Sequence, residues 1–203
     1  ATTVVMAQSN QFKPGFYAGI ELGYATVKAQ TQESANTLVN ILGGSATVTQ
    51  DSSIFDGRVF GGYKIIENID LEIGYAQSNT ISQTASGRTS GNVAYSGNID
   101  VSYNGLDYSI LLRPSMSTGL NNLYFRVGGT YLTQKASASL SAAGASASTT
   151  QNTSGSGYIL GLGYDIPVSK SVDIRAAYNY LGNIAGVSNN YSNRFSVGIL
   201  GKF

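Results

Sequence analysis

The sequence predicts an all-β fold: an eight-stranded antiparallel transmembrane β-barrel, an up-and-down meander with short periplasmic turns and long extracellular loops. Three observations predict it. Period-two alternation of apolar and polar residues recurs in segments near the roughly 9–11 residues that a membrane-crossing strand needs. Charged residues are only 11% of the 203-residue chain, against about 25% in an ordinary soluble domain, so a surface wholly in water would lack polar cover. The connections between the alternating segments are short and long in turn, as in barrels of the outer membrane.

Composition narrows the chemistry further. There is no His and no Cys, so disulfides, thiolate chemistry and His or Cys metal sites are excluded, and no cofactor is expected. A formal net charge of +1 gives no reason to invoke nucleic acid. No run approaches the roughly 18 apolar residues of a spanning helix. Residues 1–14 are expected to form an N-terminal tail and residues 15–203 a single barrel domain. Within Ala1 to Gln8 the step Val5-Met6-Ala7 reads either as the end of a signal peptide or as a short mature tail.

The segments follow in order. From Phe16 to Val27, Phe16, Ala18, Ile20, Leu22 and Tyr24 share one face; Tyr17, Gly19, Glu21, Gly23 and Ala25 share the other. Arg58–Ile66 sets Val59, Gly61, Tyr63 and Ile65 against Arg58, Phe60, Gly62 and Lys64. Asp70–Gln77 sets Leu71, Ile73 and Tyr75 against Asp70, Glu72, Gly74 and Ala76. In Gly105–Arg113, Leu106, Tyr108, Ile110 and Leu112 oppose Asp107, Ser109, Leu111 and Arg113. The fifth segment places Phe125, Val127, Gly129 and Tyr131 opposite Tyr124, Arg126, Gly128 and Thr130. The sixth places Tyr158, Leu160, Leu162 and Tyr164 opposite Ile159, Gly161, Gly163 and Asp165. The seventh places Val172, Ile174, Ala176, Tyr178 and Tyr180 opposite Asp173, Arg175, Ala177 and Asn179. The last places Phe195, Val197, Ile199 and Phe203 opposite Arg194, Ser196, Gly198, Leu200 and Lys202. Every charged residue in these segments falls on the second face.

A soluble ligand-binding barrel alternates as well, with the apolar face inward. Here the second face is crowded with Gly, Ala and Ser, which suit the narrow lumen of a small barrel. Aromatic residues on the apolar face, namely Phe16, Tyr24, Tyr63, Tyr75, Tyr108, Phe125, Tyr131, Tyr158, Tyr164, Tyr178 and Phe203, are expected to form two interfacial girdles. Short connections run near Glu67–Asn68, Pro114–Asn122 and Pro167–Ser171; long ones run about Lys28–Ser53, Ser78–Tyr103, Thr133–Ser156 and Gly182–Ser192. Since hydrocarbon satisfies no free N–H or C=O, the first and last strands must pair.

These segments carry a resemblance. Phe16-Tyr17-Ala18-Gly19-Ile20-Glu21-Leu22-Gly23-Tyr24 resembles the opening strand of the small OmpA/OmpX/opacity-type barrels. Phe60-Gly61-Gly62-Tyr63, Leu71-Glu72-Ile73-Gly74-Tyr75 and Arg126-Val127-Gly128-Gly129 are similar to later strands of that group. The closing Ser196–Phe203 stretch resembles its C-terminal assembly signal, with Gly198 and Phe203 in place and Gly201 where a bulky apolar residue is usual. The resemblance implies the outer membrane of a diderm bacterium. It also implies outer-membrane lipid, lipopolysaccharide and the barrel assembly machinery as partners. The chain closing at Phe203 leads to the expectation of a barrel with no appended peptidoglycan-binding domain.

If the second face is the lumen, it holds Glu21, Asp70, Glu72, Asp107, Asp165 and Asp173 with Arg58, Lys64, Arg113, Arg126, Arg175 and Arg194. Acids and bases confined together should pair; the expected outcome is an ion-pair network that plugs the lumen, with a charged channel as the alternative. Some barrels in the group modify lipid A, using His with Ser, and without His an enzyme is not expected here. Asp51, Asp56 and Asp100 are expected to be solvated charges or cation contacts on the lipopolysaccharide side.

The loops are rich in Ser, Thr, Ala, Asn and Gly. Lys135 to Thr150, turning at Ala142-Ala143-Gly144, is expected to extend two strands above the membrane as a hairpin, and Ser78–Gly97 to do likewise. Thr37-Leu38-Val39-Asn40-Ile41-Leu42 either packs against neighbouring loops or offers a partner contact. The functional expectation is a structural, surface-exposed protein whose loops mediate contacts, adhesin-like or coat- and array-forming, by self-association or with a host surface component. The rival expectation is a small-solute or ion channel.

Overall fold

The computed structural model describes residues 14–28, 45–50, 53–114 and 122–203. Residues 1–13, the apolar run Thr37–Leu42, Asp51 and most of the Pro114–Asn122 turn lie outside them.

Among the described residues ten strands follow one another: β1 (Gly15–Lys28), β2 (Ser45–Gln50), β3 (Ser53–Ile66), β4 (Ile69–Ser78), β5 (Ile81–Arg88), β6 (Ala94–Leu112), β7 (Leu123–Ala142), β8 (Ala145–Pro167), β9 (Val172–Gly182) and β10 (Tyr191–Lys202). Eight of them close a ring. β1 pairs with β3, β3 with β4, β4 with β6, and pairing continues through β7, β8 and β9 to β10, every step antiparallel. The seam pairs β1 with β10 from Tyr17 opposite Lys202 to Lys28 opposite Tyr191. Beyond the seam, the Phe203 N–H donates to the Phe16 carbonyl at 2.9 Å. No edge is left inside the ring, as hydrocarbon requires.

Alternation sets the two faces. The outward residues make an apolar belt in which Leu22 is 75% exposed and Phe16 67%, while Glu21, Arg58, Glu72 and Arg175 are buried inside. Outward rings meet across strands: Phe16 and Tyr63 centroids lie 4.6 Å apart, Tyr24 and Phe55 5.3 Å, Tyr178 and Phe195 4.8 Å. Phe16, Tyr63, Tyr108, Phe125, Tyr164 and Phe203 lie toward the short-turn end; Tyr24, Tyr75, Tyr131, Tyr158 and Tyr178 lie toward the other.

In four cross-strand pairs a tyrosine ring lies over the glycine opposite it: Tyr17–Gly62, Tyr108–Gly129, Tyr124–Gly163 and Tyr158–Gly182. A Cβ at any of these glycines would overlap the tyrosine ring. The bare backbone lets the ring lie flat across it, which covers the glycine and holds the pair in register.

At the long-loop end the wall continues as a second structure. Here β2, β5 and the outer parts of β6, β7 and β8 form a five-stranded sheet. Its hairpin from β7 to β8 turns on Ala143 and Gly144 (φ 51° and 82°), the two-residue geometry whose twist suits paired strands. The β5–β6 hairpin turns where the Asn92 N–H donates to the Thr89 carbonyl at 2.9 Å. The long connections about Ser78–Tyr103 and Thr133–Ser156 are thus largely strand, forming the hairpins expected at Ser78–Gly97 and Lys135–Thr150. Because β6, β7 and β8 keep one register from barrel to sheet, outward residues of the belt lead directly into outward residues of the sheet. These form rows: Asn104–Thr133–Ser154, Ser102–Lys135–Asn152, Ser82–Asp100–Ser137–Thr150, Thr84–Asn98–Ser139–Ser148 and Ser86–Ser96–Ser141–Ser146.

Candidate functional site

Eight strands enclose a space that side chains fill, and here charged ones fill it. From the long-loop end, Arg194 grips Asp56 through Nε and Nη2 at 2.8 and 2.6 Å and reaches Glu21 through Nη1 at 3.1 Å. Glu21 lies 3.4 Å from Arg58. Arg58 holds Asp107 with two bonds of 2.7 Å and Glu72 with one of 2.8 Å. Arg126 donates to Asp107, and also to Ser109 at 2.9 Å.

Toward the short-turn end Arg175 joins Glu72 at 2.6 Å to Asp165 at 2.7 Å. Arg113 then joins Asp165 at 2.7 Å to Asp70 at 2.8 Å. Six carboxylates and five guanidiniums form one connected network running the length of the lumen. Lys64 stands opposite Asp70 in the β3–β4 register. Asp173 stands apart, paired with Lys202 at 2.6 Å near the barrel rim.

Aromatic and aliphatic groups close the network at both ends. Arg175 lies 4.8 to 5.8 Å from the ring centroids of Tyr124, Phe60 and Tyr17, a buried cation–π cage. The Tyr17 hydroxyl donates to Glu72 at 3.2 Å. At the opposite end a 3-10 turn, Ile184–Gly186, folds over the mouth and packs Ile184 and Ala185 against Leu132. Ala25, Ile54 and Ile81 make a second apolar cluster, and Tyr103 touches both. Tyr103 sits above the belt, on the outer part of β6, where burial pushes its phenol up to about 12. Between this cap and the Asp56–Arg194 pair lies a cavity of about 80 Å³.

Ten of the twelve lumen charges expected from sequence therefore join this network; Lys64 stands opposite Asp70 in register, and Asp173 meets Lys202 at the rim instead. Asp56 is a correction. It was expected among the solvated outer acids, but it lies two residues before Arg58 on the inward face and is held by Arg194. The same parity would have revealed it. Asp100 lies on the outer sheet, where Ser82 Oγ donates to it at 2.6 Å and Asn98 Nδ2 at 3.0 Å. Sequence reasoning also missed the cap, although an Ile184-Ala185 pair inside a supposed wet loop was a signal. It missed the cage as well, since inward Tyr17, Phe60 and Tyr124 were not connected with Arg175.

The OmpA-like transmembrane domain family matches residues 11–201. Among solved structures the chain is similar to Neisserial surface protein A, with 18% identity over 93% of this chain and 97% of that one and a TM-score of 0.42. It is also similar to Ail, the attachment invasion locus protein of Yersinia pestis, solved with the heparin analogue sucrose octasulfate: 14% identity, coverage of 93% and 99%, TM-score 0.46. The N-terminal β-barrel domain of Pseudomonas aeruginosa OprF is similar at 9% identity, with coverage of 91% and 97% and a TM-score of 0.41. No curated protein matches in sequence.

Proposed function

Since the chain belongs to the OmpA-like transmembrane domain family and so resides in the outer membrane of a Gram-negative bacterium, we propose that it is a closed scaffold carrying a contact surface outside the cell. The barrel anchors and orients; the five-stranded sheet above it makes adhesin-like or coat-like contacts. The observation that supports this reading is the lumen, occupied from Asp56 to Asp70 by one ion-pair network and covered by the Ile184 cap. A scaffold without a path through it must act at its surface.

Planar-bilayer recording tests the closed lumen. The purified barrel is expected to give no steady openings. Steady conductance that changes in Glu72→Gln or Arg126→Gln would overturn the scaffold reading and favour a channel.

A further inference from the structure

We propose that the outward face of the five-stranded sheet is a docking wall for the core oligosaccharide of neighbouring lipopolysaccharide. This rests on the sheet being the protein's working surface, and it names the partner.

The face is built mainly from hydroxyls and amides, with one carboxylate, Asp100, bonded to Ser82 and Asn98, and one ammonium, Lys135. Neighbouring strands lie about 4.8 Å apart and successive outward residues about 6.8 Å apart, so the five rows make a near-regular grid. Serine and threonine hydroxyls each donate and accept, which suits sugar hydroxyls in either orientation. Some pair directly across the strands, Ser137 with Thr150 at 3.1 Å and Thr133 with Ser154 at 2.8 Å. Short side chains lose little rotamer freedom on contact, unlike the Lys and Glu of ordinary surfaces.

Position selects the occupant. The grid is continuous with the lipid-facing belt, and its lowest row is tied to it where the Asn104 amide donates to the Tyr75 hydroxyl at 2.9 Å. The layer directly above the outer-leaflet acyl chains, beside a barrel wall, is the sugar layer of lipopolysaccharide. The exposed Lys135, in the second row, offers a cation to the phosphates of that layer. A second copy or a host protein is a poorer fit. Protein interfaces centre on aromatic and apolar anchors, and these rows carry none.

The test uses the full chain in detergent with two probes, lipid A and lipopolysaccharide bearing the core sugars. The outward variant combines Ser137→Ala, Ser139→Ala and Thr150→Val; Thr153→Val, on the opposite face of β8, is the control. Core-bearing lipopolysaccharide is expected to bind the native chain and the control about tenfold more tightly than the outward variant. Lipid A is expected to bind all three alike. The proposal is overturned if the outward variant keeps its affinity, or if lipid A binds the native chain as tightly as the core-bearing form. It is also overturned if the native chain is a dimer that the outward variant dissolves without change in lipopolysaccharide binding. None of these readouts depends on lumen conductance, so this proposal can fail while the closed scaffold stands.

Discussion

Arg175 hydrogen-bonds two carboxylates, lies 3.8 Å from a third, Glu21, and faces three rings, and its side chain is 1% exposed. Arg175→Met would leave Glu72 and Asp165 each short of one of their cations. Breaking a buried pair in this way costs about 3–5 kcal/mol. Lys202, with a side chain 40% exposed, makes a screened pair with Asp173, and Lys202→Met should cost no more than about 1 kcal/mol. Urea unfolding in lipid vesicles, followed by tyrosine fluorescence because the chain has no Trp, measures both. Equal losses would mean that the network is no more than a set of surface-like pairs. The charges were legible residue by residue because each shares the parity of its strand. Their partners were not, since pairing depends on register across the lumen.

At the scale of the strands, the tyrosine–glycine pairs differ in how far the ring can yield. Tyr17 is pinned inside by Glu72 and Phe60, whereas Tyr108 is 59% exposed on the outer belt and can swing into lipid. Gly62→Val should therefore cost about 1–3 kcal/mol of overpacking, and Gly129→Val distinctly less, measured in the same unfolding assay. Replacing residues 137–150 of the outer hairpin with a two-residue turn should leave the ring pairing intact. Retained heat-dependent mobility in that variant checks it; loss of the folded band would show that the outer sheet is needed to build the barrel. Spanning strands were readable because Leu, Ile and Tyr contrast with Gly, Asp and Arg at every second position. Above the belt that contrast vanishes: Ser82-Gln83-Thr84-Ala85-Ser86 forms half of a hairpin with almost no alternation of polarity, so the hairpin was legible from its position and small residues but its inward and outward faces were not. The β3 start was hidden for the opposite reason, because Ile54 faces the cap and Phe55 the belt, so both sides are apolar.

The whole molecule is a closed cylinder whose seam joins β1 to β10, and closure should make it resist detergent until heated. Unboiled protein is expected to migrate differently from boiled protein in SDS gels; identical bands would contradict a closed ring. The seam also has a history. Tyr17 meets Lys202 only after all the intervening chain has arrived, so during assembly β1 presents an unpaired edge for longer than any other strand. Contacts of such wide sequence separation are the slowest to form, and the seam should limit the rate of refolding. A circular permutant opened at Ala143–Gly144, with a short linker from Phe203 to Gly15, would make β1 and β10 a local hairpin and move the seam to β7 and β8. Stopped-flow mixing of the two forms with lipid vesicles would then find the slow closing step sensitive to substitutions along β1 and β10 in the native chain and along β7 and β8 in the permutant, at an unchanged final structure.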